Sequence, residues 1–257
     1  MWSGNAGLEG DASMGWVSRD KPLGRVFVDL STQHDFVDAD GALPIVNREP
    51  FLESVQRLMA LIRSSGLRMI SAVEIHRFYD TFHGIMPHCI EGTRGQQKLE
   101  ATLLTPRIVV HADNSFDLPH HVMSRYQQVI FRKLDRDLFA NPKADRLLTD
   151  LNPPEYVVFG VGLEKSVKAV ALGLLMRHKK VAVVSDTTGY WNEADADLTF
   201  RKLDAKGIRL TTVTELVDLL RPIRRRVRAR IRTTRRHDPA VRGATARRDT
   251  RVDSLAR

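Results

Sequence analysis

The sequence predicts an α/β fold built on a buried, mostly parallel sheet with helices on both faces. Three observations carry this. From about residue 25 to 220, strand and helix signals alternate. The strand segments are continuous apolar runs such as Tyr156-Val157-Val158-Phe159, which is the pattern of strands covered on both sides. With 257 residues, 42% of them hydrophobic, the chain can bury the core of one large domain.

Taken in order, residues 1 to 24 hold scattered glycine and charge and read as a flexible lead segment. Pro22-Leu23-Gly24 then opens onto the first strand, residues 25–28. Amphipathic spacing predicts helices over 51–63, 143–150, 166–178, 194–203 and 213–220. Apolar, β-branched runs predict further strands over 68–73, 107–111, 127–131, 156–159, 181–185 and 208–212. Residues 77–104 show no period and read as a long loop of the sort that builds sites. In open sheets of this kind the site forms at the carboxyl ends of the strands.

The net charge of +9 suggests a polyanion partner until it is located. Residues 221–257 hold 14 Arg and 3 Asp, more than the whole excess, so residues 1–220 carry about −2. This tail is expected to be disordered and to bind nucleic acid or an anionic surface weakly, in a salt-sensitive way. It lacks aromatics for base stacking, and Ile223, Val227 and Ile231, spaced by four, suggest one face of a short basic helix. No stretch of eighteen apolar residues occurs, and residues 1–20 lack the apolar core of a secretion signal, so a soluble cytoplasmic protein is expected. A single cysteine, Cys89, excludes an internal disulfide and thiolate-rich structural zinc sites.

The most informative segment is Gly160-Val161-Gly162-Leu163-Glu164-Lys165-Ser166-Val167-Lys168-Ala169. It follows an apolar strand and opens a helical run, so Ser166 is expected at a strand-to-helix elbow, where backbone N–H groups favour negative charge. Other motifs accompany it in order: Asp29-Leu30-Ser31-Thr32-Gln33-His34-Asp35-Phe36; Glu74-Ile75-His76; Pro87-His88-Cys89-Ile90-Glu91-Gly92-Thr93-Arg94-Gly95; and Lys133-Leu134-Asp135-Arg136-Asp137-Leu138-Phe139. Together these resemble the isochorismatase-like cysteine hydrolases, the superfamily that includes nicotinamidases, over roughly residues 25–220. The resemblance implies a three-layer α/β/α sandwich. It also implies a cysteine nucleophile, an aspartate that takes its proton, a lysine that holds the aspartate and substrate, and two backbone N–H groups as oxyanion hole.

Carried over by residue, Lys133 matches the lysine, and the cysteine position reads Ser166. The aspartate position reads Ser31 when the motif is aligned without a gap, or Asp29 in a gapped register. The oxyanion donors would be Gly162 and Ser166. A serine hydroxyl is hardly ionised at neutral pH and needs a stronger base than a thiol does. With the carboxylate gone, Lys133 would have to serve, deprotonated by burial or by a nearby cation such as Lys165. Otherwise Lys133 would only pair with Glu164 or Asp137.

By the same resemblance Glu74, His76 and His88, with His83 as a fourth, match positions that hold a divalent metal in nicotinamidases. Carboxylate and imidazole suit zinc, manganese or iron. Cys89 is expected to pack rather than react. Three functions follow: a divergent member without the cysteine mechanism that keeps a pocket for a small amide or carboxylate; an active amidohydrolase using Ser166 and Lys133; or a polyanion binder acting through its tail. The resemblance also implies a homo-oligomer.

Overall fold

The computed structural model describes residues 23–111, 117–133 and 137–220. The chain divides into two compact units, Met1–Val213 and Thr214–Arg257. Of the second, residues 214–220 are described and are helical. The arginine-rich stretch 221–257 and the lead segment 1–22 lie outside the described residues, and with them the expectations of disorder, a short basic helix and polyanion binding.

In the first unit seven strands form one sheet: β1 (Val26–Leu30), β2 (Arg68–Glu74), β3 (Arg107–Val110), β4 (Gln128–Lys133), β5 (Tyr156–Val161), β6 (Val181–Gly189) and β7 (Arg209–Thr211). Their order is β3-β4-β2-β1-β5-β6-β7, and every neighbouring pair is parallel. The helices are α1 (His34–Val37), α2 (Arg48–Ser65), α3 (Val122–Arg125), α4 (Pro142–Asp150), α5 (Lys168–Met176) and α6 (Glu193–Ala205). Val26, Val28 and Leu30 of β1 share one apolar cluster with residues of α4, α5 and α6. The alternate residues, Phe27 and Asp29, are also fully buried. Because successive side chains point to opposite faces, the central strand is covered on both sides, as its unbroken apolar run requires. Among the described residues no helix is long and apolar enough to cross a membrane.

Local chemistry explains where the elements begin and end. Asn141 accepts hydrogen bonds from the Lys143 and Ala144 N–H groups and is followed by Pro142, so α4 starts with its free donors capped, a contribution of about 1 kcal/mol. Asn192 caps α6 through the Asp195 N–H. Gly66, at φ 64°, ends α2 in the left-handed conformation that glycine adopts without strain.

The short helices α1 and α3 were not expected, and two expected elements near the site depart from their expected bounds. The helix expected to start at Ser166 starts at Lys168, and Leu163–Val167 forms a π turn, because the Gly162 carbonyl accepts from both the Lys165 and Val167 N–H groups at 3.0 Å. The strand expected to end at Ser185 runs on to Gly189. Its polar residues Thr187 and Thr188 are fully buried because their hydroxyls donate to the Val184 carbonyl at 3.2 and 2.8 Å.

Candidate functional site

The sheet reverses direction of growth at β1, with β2 on one side and β5 on the other, and a crevice opens at the carboxyl ends of these strands. Gly160, at φ 118°, lies beside Leu30 in the β1–β5 register, and a Cβ there would stand 2.1 Å from the Leu30 carbonyl oxygen. Only glycine lets the two strands meet so closely. Ser31 follows β1 at φ 52°, and the π turn after β5 carries Ser166. Glu74 and Lys133 end β2 and β4 as direct partners in the parallel register, so their side chains share one face.

These residues meet at one point. Lys133 Nζ donates to Glu74 Oε2 at 2.9 Å and to Ser166 Oγ at 3.4 Å. Lys133 is 1% exposed and Ser166 4% exposed. Ser31 Oγ, equally buried, has no hydrogen-bond partner among the described residues. A cavity of about 450 Å³ opens over them, lined by Ser31, Glu74, His88 and Ser166 and flanked by Lys165 and Trp191. Lys165 Nζ stands 4.8 Å from the centre of the Trp191 ring, which also bonds through Nε1 to the Leu43 carbonyl at 3.0 Å. The indole is thereby fixed as one wall.

Two imidazoles also line the cavity. His76 Nε2 and His88 Nε2 approach Glu74 Oε1 at 3.1 and 3.3 Å. His88 Nδ1 lies 2.8 Å from the Met86 carbonyl, which can only accept, so Nδ1 carries a hydrogen. His76 Nδ1 faces the Asp80 carboxylate at 3.6 Å. Each ring is thus oriented from behind, with Nε2 turned toward one carboxylate oxygen. Burial alone would raise the Glu74 pKa, but the Lys133 charge and the hydrogen bonds from His76, His88 and Lys133 hold its carboxyl well below the usual range. For His88, burial works downward and is outweighed by the Glu74 and Met86 hydrogen bonds and the Glu74 and Asp35 charges, so its pKa is raised.

Glu74, His76 and His88 present ligand atoms all within 4.8 Å of one another. A carboxylate and two imidazoles oriented from behind are a donor set for a divalent transition ion, so these residues fit a metal. The Gln33 side chain fixes the backbone beneath: its Oε1 accepts from the Glu74 N–H at 2.7 Å and its Nε2 donates to the Glu74 carbonyl at 2.8 Å.

The remaining expected residues are placed as follows. The Gly162 N–H, assigned to the oxyanion hole, donates to the Gly189 carbonyl at 3.0 Å, because the β5–β6 ladder continues past its last paired residues. His83 lines the cavity but is not one of the converging ligand residues. Lys133 pairs with Glu74 and not with Glu164, whose Oε1 instead accepts from the Trp191 and Asn192 N–H groups. Asp29, the gapped alternative to Ser31, is fully buried and ion-paired to Lys98, while Ser31 lines the cavity. Cys89 is fully buried, and burial followed by the Glu74 and Asp35 charges pushes its thiol far above the usual range, in keeping with a packing role. Trp191 was not recognisable as a wall from sequence, since a lone tryptophan in a polar loop carries no positional signal.

The isochorismatase domain model matches residues 26–215. The chain belongs to the isochorismatase family. Comparison with curated proteins finds no match. Among solved structures, the isochorismatase-domain chain is similar to a nicotinamidase/pyrazinamidase from Bacillus subtilis, at 15% identity and TM-score 0.58, covering 74% of this chain and 100% of that one. It is similar to an isochorismatase-like hydrolase from Alkaliphilus metalliredigens at 18% identity and TM-score 0.62, covering 77% and 99%. A pyrazinamidase of Pyrococcus horikoshii in complex with zinc shares 18% identity and TM-score 0.58, covering 73% and 98%. At these identities the likeness establishes the isochorismatase fold, whose seven-stranded parallel sheet is described above.

Proposed function

We propose that this isochorismatase-family protein has given up the cysteine mechanism and keeps the cavity as a binding site for a small amide or carboxylate. The observation that carries the reading is the engagement of Lys133. Its Nζ donates to Glu74 at 2.9 Å and to the serine hydroxyl oxygen at 3.4 Å, and a nitrogen that donates to that oxygen is not placed to take its proton. Ser31, in the ungapped register, supplies no carboxylate in the aspartate's place, and its hydroxyl, without a partner among the described residues, lines the cavity where a ligand would meet it. Lys165 at the wall favours an acyl oxygen or carboxylate. Glu74, His76 and His88 would hold a zinc, manganese or iron ion, which supplies a Lewis acid for a ligand oxygen or nitrogen when bound.

The Ser166–Lys133 contact is the observation that favours a second reading, hydrolysis of a small amide by Ser166 with Lys133 as base. One experiment separates them. Ammonia release is followed for wild type and Ser166→Ala with nicotinamide, pyrazinamide and several N-carbamoyl amides, and calorimetric binding of the same amides and their acids is measured alongside. The expected outcome is no release by either protein and binding that survives Ser166→Ala. Release by wild type that disappears in Ser166→Ala would sink the first reading and establish the second.

A further inference from the structure

We infer that Glu74 has taken over, from the neighbouring strand, the lysine-holding carboxylate that the family pattern assigns to the position of Ser31, and that it does so with the carboxylate that faces the two imidazoles. Lys133 and a divalent cation would therefore share one carboxylate, each drawing on negative charge that the other also uses. The inference rests on the ungapped placement of Ser31 and is independent of whether Ser166 acts.

Three observations carry it. Lys133 is 1% exposed, and an ammonium so deeply buried needs a counterion. The side chain found in that role is Glu74, which ends β2 directly beside Lys133 in the β2–β4 register. The position from which the family pattern would supply the carboxylate carries Ser31, whose buried hydroxyl meets no partner among the described residues. Glu74 divides its two oxygens: Oε2 accepts from Lys133, and Oε1 lies 3.1 and 3.3 Å from His76 Nε2 and His88 Nε2. Glutamate is one methylene longer than aspartate, and the extra reach suits a side chain that must touch the lysine while keeping its other oxygen among the histidines. One carboxylate then serves two positive partners, where an aspartate at position 31 would give each its own.

Position 31 accepts the reversal. Ser31 sits at φ 52°, in the left-handed region where aspartate is among the better tolerated residues, and it lines the same cavity as Glu74 and Ser166.

The test is second-site rescue, measured by thermal unfolding in the presence of EDTA. Glu74→Gln leaves Lys133 buried without its partner, and its Tm is expected to fall by roughly 5–10 °C. Adding Ser31→Asp to Glu74→Gln should recover at least half of that loss. A double variant no more stable than Glu74→Gln would overturn the inference. Should both fail to fold, Ser31→Asp alone decides it by calorimetric titration with Zn²⁺. Release of Glu74 from Lys133 should tighten Zn²⁺ binding about tenfold or more, and unchanged or weaker binding would overturn it. Neither readout depends on hydrolysis or on an organic ligand, so the result stands apart from that of the ammonia assay.

Discussion

Among the described residues, the buried lysine–carboxylate pairs Asp29–Lys98 and Glu74–Lys133 both anchor on strands of this sheet and serve opposite ends. Asp29 and Lys98 have side chains 0% and 5% exposed, and the remaining valences of the carboxylate are filled by the Thr32 hydroxyl at 3.0 Å and the Ser71 hydroxyl at 3.2 Å. Thr32 in turn meets Thr102, and Ser71 accepts from the Gln128 side chain. Every member of this network is partnered and none lines the cavity. Glu74 and Lys133 are nearly as deep, with side chains 10% and 1% exposed, but their other neighbours are Ser166 and two imidazoles at the edge of a cavity of about 450 Å³. The same ion pair is a bolt where it is sealed and a site where it is left open. The sealed pair ties the loop carrying Lys98 to the middle of β1, the strand from which Ser31 emerges. The open pair keeps polar capacity for something else.

The comparison is broken most directly by removing one partner of the sealed pair. Asp29→Ala leaves Lys98 enclosed without its counterion, and should cost about 3–5 kcal/mol in urea-induced unfolding. Glu74→Gln should cost less, because the amide oxygen still accepts a hydrogen bond from Lys133 and Glu74 itself lines the cavity. Equal losses at the two sites would erase the distinction between sealed and open.

Replacing both partners sharpens the comparison with a smaller effect on stability. Asp29→Leu with Lys98→Met removes both charges together, and apolar replacements of buried ion pairs are often neutral or stabilising, by about 1–4 kcal/mol. Thr32 and Ser71 would still have Thr102 and Gln128 as partners. This double variant should unfold no earlier than wild type in urea and should bind Zn²⁺ as wild type does. Glu74→Leu with Lys133→Met, by contrast, should abolish Zn²⁺ binding. Loss of Zn²⁺ binding in the Asp29/Lys98 variant would mean that the sealed pair belongs to the site after all.

The sequence revealed the two pairs unequally. Every strand in the observed sheet was legible, because each is an apolar run flanked by polar turns, and the elbow bearing Ser166 followed from the strand before it. Glu74, His76 and His88 are expected together as metal ligands, and Lys133 with Ser166 as the reacting pair. That Lys133 meets Glu74 was not visible, since it depends on the β2–β4 register, which joins strands far apart in the chain. Lys98 lies in an aperiodic loop and offered no signal of its own. A signal did exist at its partner: Asp29 interrupts an apolar strand, and a carboxylate there demands a buried cation. The engagement of the Gly162 N–H by Gly189 was equally hidden, because a motif shows which backbone groups approach a site but not which are already satisfied.

The smallest expected effect separates the sealed pair by pH. Burial lowers the Lys98 pKa below its ordinary value, with Asp29 working in the opposite direction. In the interval between that lowered value and the unfolded value of about 10.4, the unfolded chain holds a proton that the folded chain has released. Stability therefore rises with pH across the interval, since the unfolded state binds more protons there. Other groups also titrate in this range, so the quantity to read is the difference between wild type and Asp29→Leu/Lys98→Met, followed by urea midpoints from pH 8 to 10.5. The difference should shift in favour of wild type as the pH rises. A difference that stays flat would show that Asp29 keeps Lys98 protonated up to its ordinary value, and that the sealed pair holds its charge as firmly as an exposed lysine does.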